Sequence, residues 1–323
     1  MSDHGPKRKP RPSEPDQARQ SLPGARAEPD PAGRAARNRF EAEGVPESVR
    51  GGPVAGSLQP QPSVGRDELE RWLADELCLA RFRDYCPNGL QVAGAETIRR
   101  IVTGVTASRA LLEQAAARGA DAVLVHHGWF WKNDDPRIVG MLHARLKLAL
   151  RHDLNLFAYH LPLDAHPVWG NNAQLARVLG LDPEMAQGKP GEAEVPVTLD
   201  ADGLLWTGRA PGLGTVGDFV RQVEQRLGRA ALWVGEVEAP LGKVVWCTGG
   251  AQGYMNQAIE AGASVYLTGE ASEYNTHLAR ETGVAFVAAG HHATERYGVQ
   301  ALGQAVAERF GVAVEFIDID NPV

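Results

Sequence analysis

The spacing of apolar residues along the chain predicts an α/β protein. Short apolar runs bounded by glycine or charged residues indicate buried strands, and apolar residues at every third or fourth position indicate amphipathic helices. The predicted strands are residues 101–105, 122–125, 154–159, 243–247, 264–267 and 284–289. The predicted helices are residues 67–82, 108–118, 137–151, 170–179, 216–227 and 254–261, with two more that end at residues 282 and 310. Such alternation places functional groups at the carboxyl ends of strands.

The second half of the chain repeats the order of elements in the first half. Residues 118–123 and residues 260–265 both contain Gly-Ala, and matching these dipeptides aligns the two segments. We therefore expect an internal duplication with two similar α/β lobes, residues 66–185 and 186–323, although a shared order of elements can also arise by chance. If the duplication is real, the polar strand ends of both lobes meet in one cleft.

Three polar clusters come directly after predicted strands. They are His126 with His127, His160 with Asp164, and His291 and His292 with Glu295. A lone histidine at a strand end is usually a hydrogen-bonded structural residue, but in the alignment His160-x-x-x-Asp164 falls opposite His291-x-x-x-Glu295. Imidazole and carboxylate groups bind divalent transition metals, and a carboxylate can bridge two ions. The sequence therefore predicts a dinuclear metal site in the cleft between the lobes.

Other polar and aromatic residues near these clusters have competing explanations. We expect Trp129, Phe130 and Trp131 to pack at a lobe or subunit interface, in preference to stacking on bases. The pair Asn171-Asn172 is typical of a helix cap. Glu270, which falls opposite His127 in the alignment, is either a salt-bridge residue or a base beside the metals.

Composition restricts the compartment and the metal ligands. The chain has 323 residues, of which 43% are hydrophobic. No apolar run approaches the roughly 20 residues of a membrane span, and the N-terminus is polar, so we expect a soluble, cytoplasmic protein without membrane contact. The three cysteines form no Cys-x-x-Cys pair, which leaves nitrogen and oxygen ligands for any metal.

Charge is distributed unevenly along the chain. Residues 1–66 contain eleven Lys and Arg against eight Asp and Glu, whereas the chain as a whole has a net charge of −7. An acidic body is a poor platform for nucleic acid, so we do not expect a nucleic-acid partner. The Pro- and Arg-rich residues 1–65 are predicted to be a disordered N-terminal extension. It is either a basic tail that binds a partner or, as we favour, a segment outside the functional protein.

Six segments give the chain a specific resemblance to a known family. They are residues 84–91 (DYCPNGLQ), 125–128 (VHHG), 160–167 (HLPLDAHP), 170–172 (GNN), 268–270 (TGE) and 290–296 (GHHATER). Together they resemble the NIF-three-like dinuclear metal-centre family, whose bacterial members are often named GTP cyclohydrolase I type II homologues. The resemblance covers about residues 67–314 and leaves the N-terminal extension outside.

The resemblance implies a ligand set, an assembly and a reaction. It implies that His127 and Asp164 bind one metal, that His126 and His291 bind the other, and that Glu295 bridges both. It also implies a toroidal homohexamer. The implied reaction opens the imidazole ring of GTP and releases formate.

We therefore expect a dinuclear metal-dependent hydrolase that acts on GTP, another nucleotide or a phosphoester. Either Glu270 or His160 is expected to carry protons, and a basic residue such as Arg296 is expected near the phosphates. The native ions can be Zn, Mn, Fe, Co or Ni, because His, Asp and Glu sites accept each of them. The alternative is a non-enzymatic protein that binds, stores or delivers metal, so enzymatic activity remains open at this point.

Overall fold

The structure, a computed structural model, describes residues 61–186 and 194–323. Its strands are β1 (Val64–Gly65), β2 (Gly89–Val92), β3 (Thr97–Ile98), β4 (Arg100–Thr106), β5 (Ala122–His127), β6 (Asn155–Ala158), β7 (Asp182–Pro183), β8 (Met185–Ala186), β9 (Val195–Pro196), β10 (Trp206–Arg209), β11 (Leu232–Val234), β12 (Val244–Trp246), β13 (Val265–Thr268), β14 (Ala285–Ala288) and β15 (Ala313–Phe316). Its α-helices are α1 (Arg66–Glu76), α2 (Arg109–Ala117), α3 (Gly140–Arg151), α4 (Leu161–Ala165), α5 (Asn171–Leu179), α6 (Val216–Leu227), α7 (Met255–Glu260), α8 (Glu273–Thr282) and α9 (His291–Phe310). The predicted α/β fold is confirmed.

Two larger sheets organise these elements. The first has the strand order β15-β4-β5-β6-β2, in which only the edge strand β2 runs antiparallel to its neighbour. The second has the order β11-β14-β13-β12-β10-β7, with the parallel strands β12, β13 and β14 in its interior. Because neighbouring parallel strands end at the same edge of a sheet, each sheet collects the residues that follow its strands.

Helices cover both faces of each sheet, and the alternation of side chains along the strands assigns residues to the faces. In β5, Ala122 and Leu124 pack with α1 and α9, whereas Val123 and Val125 pack with α2 and α3. The second sheet is covered by α5 and α6 on one face and by α7 and α8 on the other. Strands buried on both faces account for the nearly continuous apolar runs in the sequence.

Local sequence explains why the helices begin and end where they do. Ser108 accepts a hydrogen bond from the backbone N–H of Leu111, so it caps α2 as its position predicted. Thr215 and Asp218 form a capping box at the start of α6, and Gly228, with a φ of 71°, ends that helix in the left-handed region. The predicted bounds of α6, residues 216–227, are confirmed.

Helix α9 connects the two sheets. It begins directly after β14 of the second sheet, yet its residues Val299, Leu302 and Val306 pack into the core of the first sheet. The chain then adds β15 to the first sheet, beside β4. The start of α9 is therefore held against the carboxyl ends of β5 and β6, although it follows them by more than a hundred residues.

Some predicted boundaries are tested only in part by this arrangement. The division into lobes at residue 185 stays a prediction, to which the structure adds that β15, from the C-terminal range, belongs to the first sheet. Val64 and Gly65, which were assigned to the N-terminal extension, form β1 and pair with β3. Predicted disorder in residues 1–60 lies outside the described residues. No helix in the described ranges is long and apolar enough to cross a membrane.

Candidate metal centre

The five predicted metal ligands lie together where the two sheets meet α9. His126 and His127 are the last two residues of β5, Asp164 lies in α4 after β6, and His291 and Glu295 lie about one turn apart at the start of α9. We call these five residues the donor cluster. His126, Asp164 and Glu295 are buried, and His127 and His291 are partly exposed.

The donor atoms form two groups that share Glu295. In one group, His126 Nε2 lies 3.4 Å from Asp164 Oδ1 and 3.5 Å from Glu295 Oε1. In the other, Glu295 Oε2 lies 3.2 Å from His127 Nε2 and 3.1 Å from His291 Nε2. Each group therefore offers three nitrogen or oxygen donors, and the two oxygens of one carboxylate face different groups.

This grouping differs from the pairing that the resemblance implied. The expectation placed His127 with Asp164 and His126 with His291, but His126 lies with Asp164 and His127 with His291. His126 and His127 are neighbours in β5, so their side chains leave the strand on opposite sides, and Glu295 lies within 3.5 Å of both imidazoles. The pairing of ligands with ions and metal binding by the five residues both stay predictions.

The second ring nitrogen of each histidine in the donor cluster has its own partner. Nδ1 of His126 donates to the carbonyl oxygen of Tyr159 at 2.9 Å, and Nδ1 of His291 donates to Glu270 Oε1 at 2.6 Å. Nδ1 of His127 lies 3.1 Å from the hydroxyl of Thr106. In His126 and His291, Nδ1 as the donor leaves Nε2 facing the carboxylates, and Nε2 carries the lone pair when the imidazole is neutral.

The buried charges of the cluster perturb one another strongly. Burial would lower the pKa of His126, but the charges of Asp164 and Glu295 outweigh it and raise the pKa to about 10. Burial dominates at His127 and lowers its pKa to about 4. Burial would also lower the pKa of His291, but contacts with Glu295 and Glu270 raise it to about 9. The two buried carboxylates thus require positive charge beside them.

The cluster fits divalent metal better than it fits a protein-only hydrogen-bond network. His126 Nε2 and Glu295 Oε2 are fully enclosed, and neither has a hydrogen-bond partner of suitable geometry. An enclosed polar atom without a partner costs about 1–3 kcal/mol, more if charged. Ions bound by the three-donor groups would satisfy both atoms and neutralise the carboxylates, so the residues present can hold metal.

Asp164 is held in place by residues that sequence analysis treated as a helix cap. Asn171 donates to Asp164 Oδ1 at 2.8 Å, and the Thr248 hydroxyl donates to the same oxygen at 3.3 Å. Asn171 also accepts from the backbone N–H of Gly298 in α9. Gly170, not an asparagine, occupies the cap position of α5, so the two asparagines connect α4, α5 and α9 instead.

The loop after β12 leaves the space that Glu295 occupies. Gly249 has a φ of 69°, and a Cβ atom at this position would collide with the Glu295 carboxylate. Gly250 and Gly269 also lie against His291. The run Gly249-Gly250 after an apolar strand was the signal in the sequence for this close approach, and the sequence analysis did not use it.

His160 lies beside the donor cluster in contact with Asp84. Its Nδ1 donates to Asp84 Oδ1 at 2.7 Å, and its ring centroid lies 5.1 Å from that of His126. Burial would raise the pKa of Asp84, but hydrogen bonds and the charge of His160, with donation from Asn88 and from the Tyr85 backbone, lower it to about 2. Sequence reasoning quoted Asp84 within a motif but gave it no role.

The other residues that the sequence analysis singled out near the donor cluster make their contacts outside it. His292 points away from the donor cluster and contacts Asp318 at 2.7 Å. Arg296 contacts Asp318 and the carbonyl oxygen of Leu227, and its expected place near substrate phosphates stays a prediction. Trp129 is buried in the core beside the first sheet, whereas we expected it at a lobe or subunit interface.

A cavity of about 670 Å³ opens beside the cluster. His127, His160 and His291 lie on its wall, together with Trp131, whose ring meets that of His160 edge-on at a centroid distance of 4.9 Å. Arg137 and Arg145 contribute its cationic side chains. A ligand in this cavity can contact the donor cluster from the side of His127 and His291.

Sequence comparison assigns the family. Residues 64–322 match the model of the Duf34/NIF3 (NGG1p interacting factor 3) family. The chain belongs to the Duf34/NIF3 family. The resemblance described above is thereby confirmed.

Two curated relatives in this family carry the name GTP cyclohydrolase 1 type 2 homolog. The protein from Pseudomonas aeruginosa is 53% identical over 256 residues, which cover 79% of this chain and 96% of the relative. The protein from Allochromatium vinosum is 51% identical over 255 residues, with the same coverage. The solved structure of protein ybgI, described as of unknown function, has a TM-score of 0.74 at 46% identity and covers 80% of this chain and 100% of its own.

Proposed function

We propose that the chain is a dinuclear metal-dependent hydrolase and that its substrate is a nucleotide, with GTP as the first candidate. The observation that carries the proposal is the pair of three-donor groups that share Glu295 and contain enclosed, unpartnered donor atoms. One group consists of His126, Asp164 and Glu295, and the other of His127, His291 and Glu295. The proposed ions are divalent, and the donor set accepts Zn, Mn, Fe, Co or Ni.

Different residues of the chain would bind the ions and position the ligands in such a site. Bound ions would supply an activated water and a positive field for an anionic substrate. Glu295 and Asp164 provide the negative charge that holds the ions, and Glu270 fixes the ring of His291 through Nδ1. This contact makes Glu270 a positioning residue in our proposal.

His160 is our candidate for proton transfer at the edge of the cluster. It lines the cavity, and Asp84 orients its ring through Nδ1, so Nε2 is the nitrogen left for a substrate or water. Asn88 accepts from the backbone N–H of His160 at 2.7 Å and thereby fixes the main chain at the same point. An Asp–His pair of this geometry is a recurring arrangement for general acid–base catalysis.

The names of the curated relatives support GTP as the first substrate to test. The reaction would add one water at C8 of the purine and open the imidazole ring to a formamide, and a second water would hydrolyse that formamide to formate and a free amine. The cavity beside His127 and His160 has a volume of about 670 Å³, which is within the usual range for small-molecule sites. A homohexamer and a cytoplasmic location stay predictions.

A storage or delivery protein is the competing function. Buried donors argue against it, because Asp164 and Glu295 lie in the protein interior and release of an ion would leave two enclosed carboxylates. The experiment is formate release from GTP by the purified chain, with metal content measured in parallel and His127→Ala as the variant. We expect turnover that follows metal occupancy and is lost in the variant.

Other outcomes would reject parts of the proposal. Two ions per chain without formate would remove GTP and direct the search to other nucleotides. Rapid exchange of both ions with free metal, again without turnover of any nucleotide, would support the carrier function instead.

A further inference from the structure

One cationic side chain in the cavity beside the donor cluster lacks a counter-ion. Arg145, in α3, lines the cavity together with His127, His160 and His291. Within residues 61–186 and 194–323, its Nε is enclosed without a hydrogen-bond partner, and no carboxylate pairs with its guanidinium. The other arginine of the cavity wall, Arg137, is exposed and pairs with Asp135. Of the two arginines on this wall, Arg137 is paired with a carboxylate and Arg145 is not, so Arg145 is the one available to bind an anionic ligand.

The acidic residues of the same wall do not reach Arg145. Asp134 accepts from the backbone N–H of Trp131, and Asp135 is bound by Arg137. Burial lowers the pKa of Arg145, but a guanidinium starts from so high a value that it stays charged at neutral pH. The wall therefore presents a partly desolvated positive charge without an internal partner.

A positive charge in this state binds an oxyanion more strongly than an exposed one. Partial burial reduces the screening by water, and the planar guanidinium can donate two parallel hydrogen bonds to a phosphate. The cost of leaving such a group unpaired is recovered when an anion binds. Arg296, the basic residue favoured from sequence, has no such capacity because Asp318 already pairs with it.

We propose that Arg145 binds a phosphate group of the substrate while the ring to be hydrolysed lies at the donor cluster. This inference rests on the proposed nucleotide substrate and assigns the residue that selects it. Trp131 lies on the same wall beside His160, so an aromatic base and its phosphates can occupy the cavity together. The assignment makes the site selective for phosphorylated ligands over the nucleoside.

The test compares ligand affinities of the metal-loaded, full-length protein by calorimetry. The probes are GTP, inorganic tripolyphosphate and guanosine, and the variants are Arg145→Gln and Arg145→Lys. We expect Arg145→Gln to weaken GTP and tripolyphosphate about 10- to 100-fold and to leave guanosine within about twofold. Arg145→Lys should recover part of the loss, because lysine keeps the charge but not the paired donors.

Two controls separate this role from general charge and from folding. Arg151→Gln removes an exposed charge from the same helix, outside the cavity, and should leave GTP affinity within about twofold. Metal content of each variant reports whether the donor cluster is intact.

The outcomes distinguish the inference from the function on which it rests. Equal GTP affinity in Arg145→Gln and the wild type, or no binding of GTP and tripolyphosphate by the wild type, would overturn the inference. Phosphate-dependent binding through Arg145 without formate release would keep the inference and reject the cyclohydrolase reaction. Formate release by the wild type, with GTP affinity unchanged in Arg145→Gln, would reject the inference and keep the cyclohydrolase reaction.

Discussion

The two sheets contain the same run of elements but use it differently. In the first sheet, β4-α2-β5-α3-β6 carries His126 and His127 at the end of the middle strand. In the second, β12-α7-β13-α8-β14 has Gly269 and Glu270 after the corresponding strand β13. Both runs then place an acidic residue four positions after a histidine, Asp164 in one and Glu295 in the other. A similar scaffold thus supplies ligands directly from one middle strand and not from the other.

The two repeated halves contribute different residues to the donor cluster. Gly269 has no room for a side chain, since a Cβ atom there would lie 2.7 Å from the His291 Cα. Glu270 reaches the ring of His291 from behind and does not join the donor groups. Asp164 belongs to one donor group, whereas Glu295 belongs to both. The second half therefore supplies the shared ligand, and the first half supplies most of the others.

The largest effect, a loss of bound metal, is expected on substitution of the two equivalent acids, Glu295 and Asp164. Glu295→Gln removes the charge that both groups share, so we expect it to lose both ions. Asp164→Asn removes a donor from one group, so we expect one ion to remain. Each loss should exceed the roughly 10- to 100-fold reduction in metal affinity that is typical of outer-sphere changes. Metal content after gel filtration measures the difference.

The control for this comparison is Glu308→Gln, at an exposed position of the same helix α9. It should keep two ions. Equal loss of metal from Glu295→Gln and Asp164→Asn would contradict the assignment of Glu295 to both groups.

A smaller loss of metal affinity is expected on substitution of Glu270, which tests what the residue after β13 contributes to metal binding. Glu270→Ala removes the acceptor behind His291, and we expect it to weaken one of the two ions about 10- to 100-fold. The ion held by His126 and Asp164 should keep its affinity. Stepwise metal titration with a competing chelator measures both constants.

Glu273→Ala, a change at a nearby exposed acid in α8, serves as the matched control. If Glu270→Ala keeps both ions and loses turnover, Glu270 is a proton carrier and our assignment of it as a positioning residue is wrong.

The smallest effect, a change in folding stability, is expected at Asp84, which lies outside the segments that our alignment matches. Its pKa is lowered from 3.8 to about 2 in the folded protein. The unfolded carboxyl therefore binds protons first as pH falls, so its stabilisation is present above about pH 4 and is lost toward pH 2. At neutral pH we expect Asp84→Asn to lower the free energy of unfolding by at most about 2 kcal/mol.

Urea unfolding at pH 7, 5 and 3.5 measures this dependence. The difference between the wild type and Asp84→Asn should be constant from pH 7 to 5 and smaller at pH 3.5. Asp75→Asn, at an exposed site in α1, should show no such change. A difference that grows on acidification would contradict the sign of the pKa shift.

Local pattern was enough to find most of the fold. The apolar runs that became β4, β5, β6, β12, β13 and β14 are buried on both faces, so they stand out in the sequence without knowledge of their partners. Strand β15 was missed because it is short and half exposed, and it is a strand only through its pairing with β4. Strand β2, which pairs with β6, was also missed.

The sequence by itself determined which side chains come directly after strands, and hence the residue types of the donor cluster. Only the tertiary structure decided which donor atoms lie nearest to one another. Alternation along β5 separates His126 from His127, and the packing of α9 on the first sheet brings Glu295 between them. Contacts between residues so distant in sequence depend on the packing of whole elements, which no local pattern records.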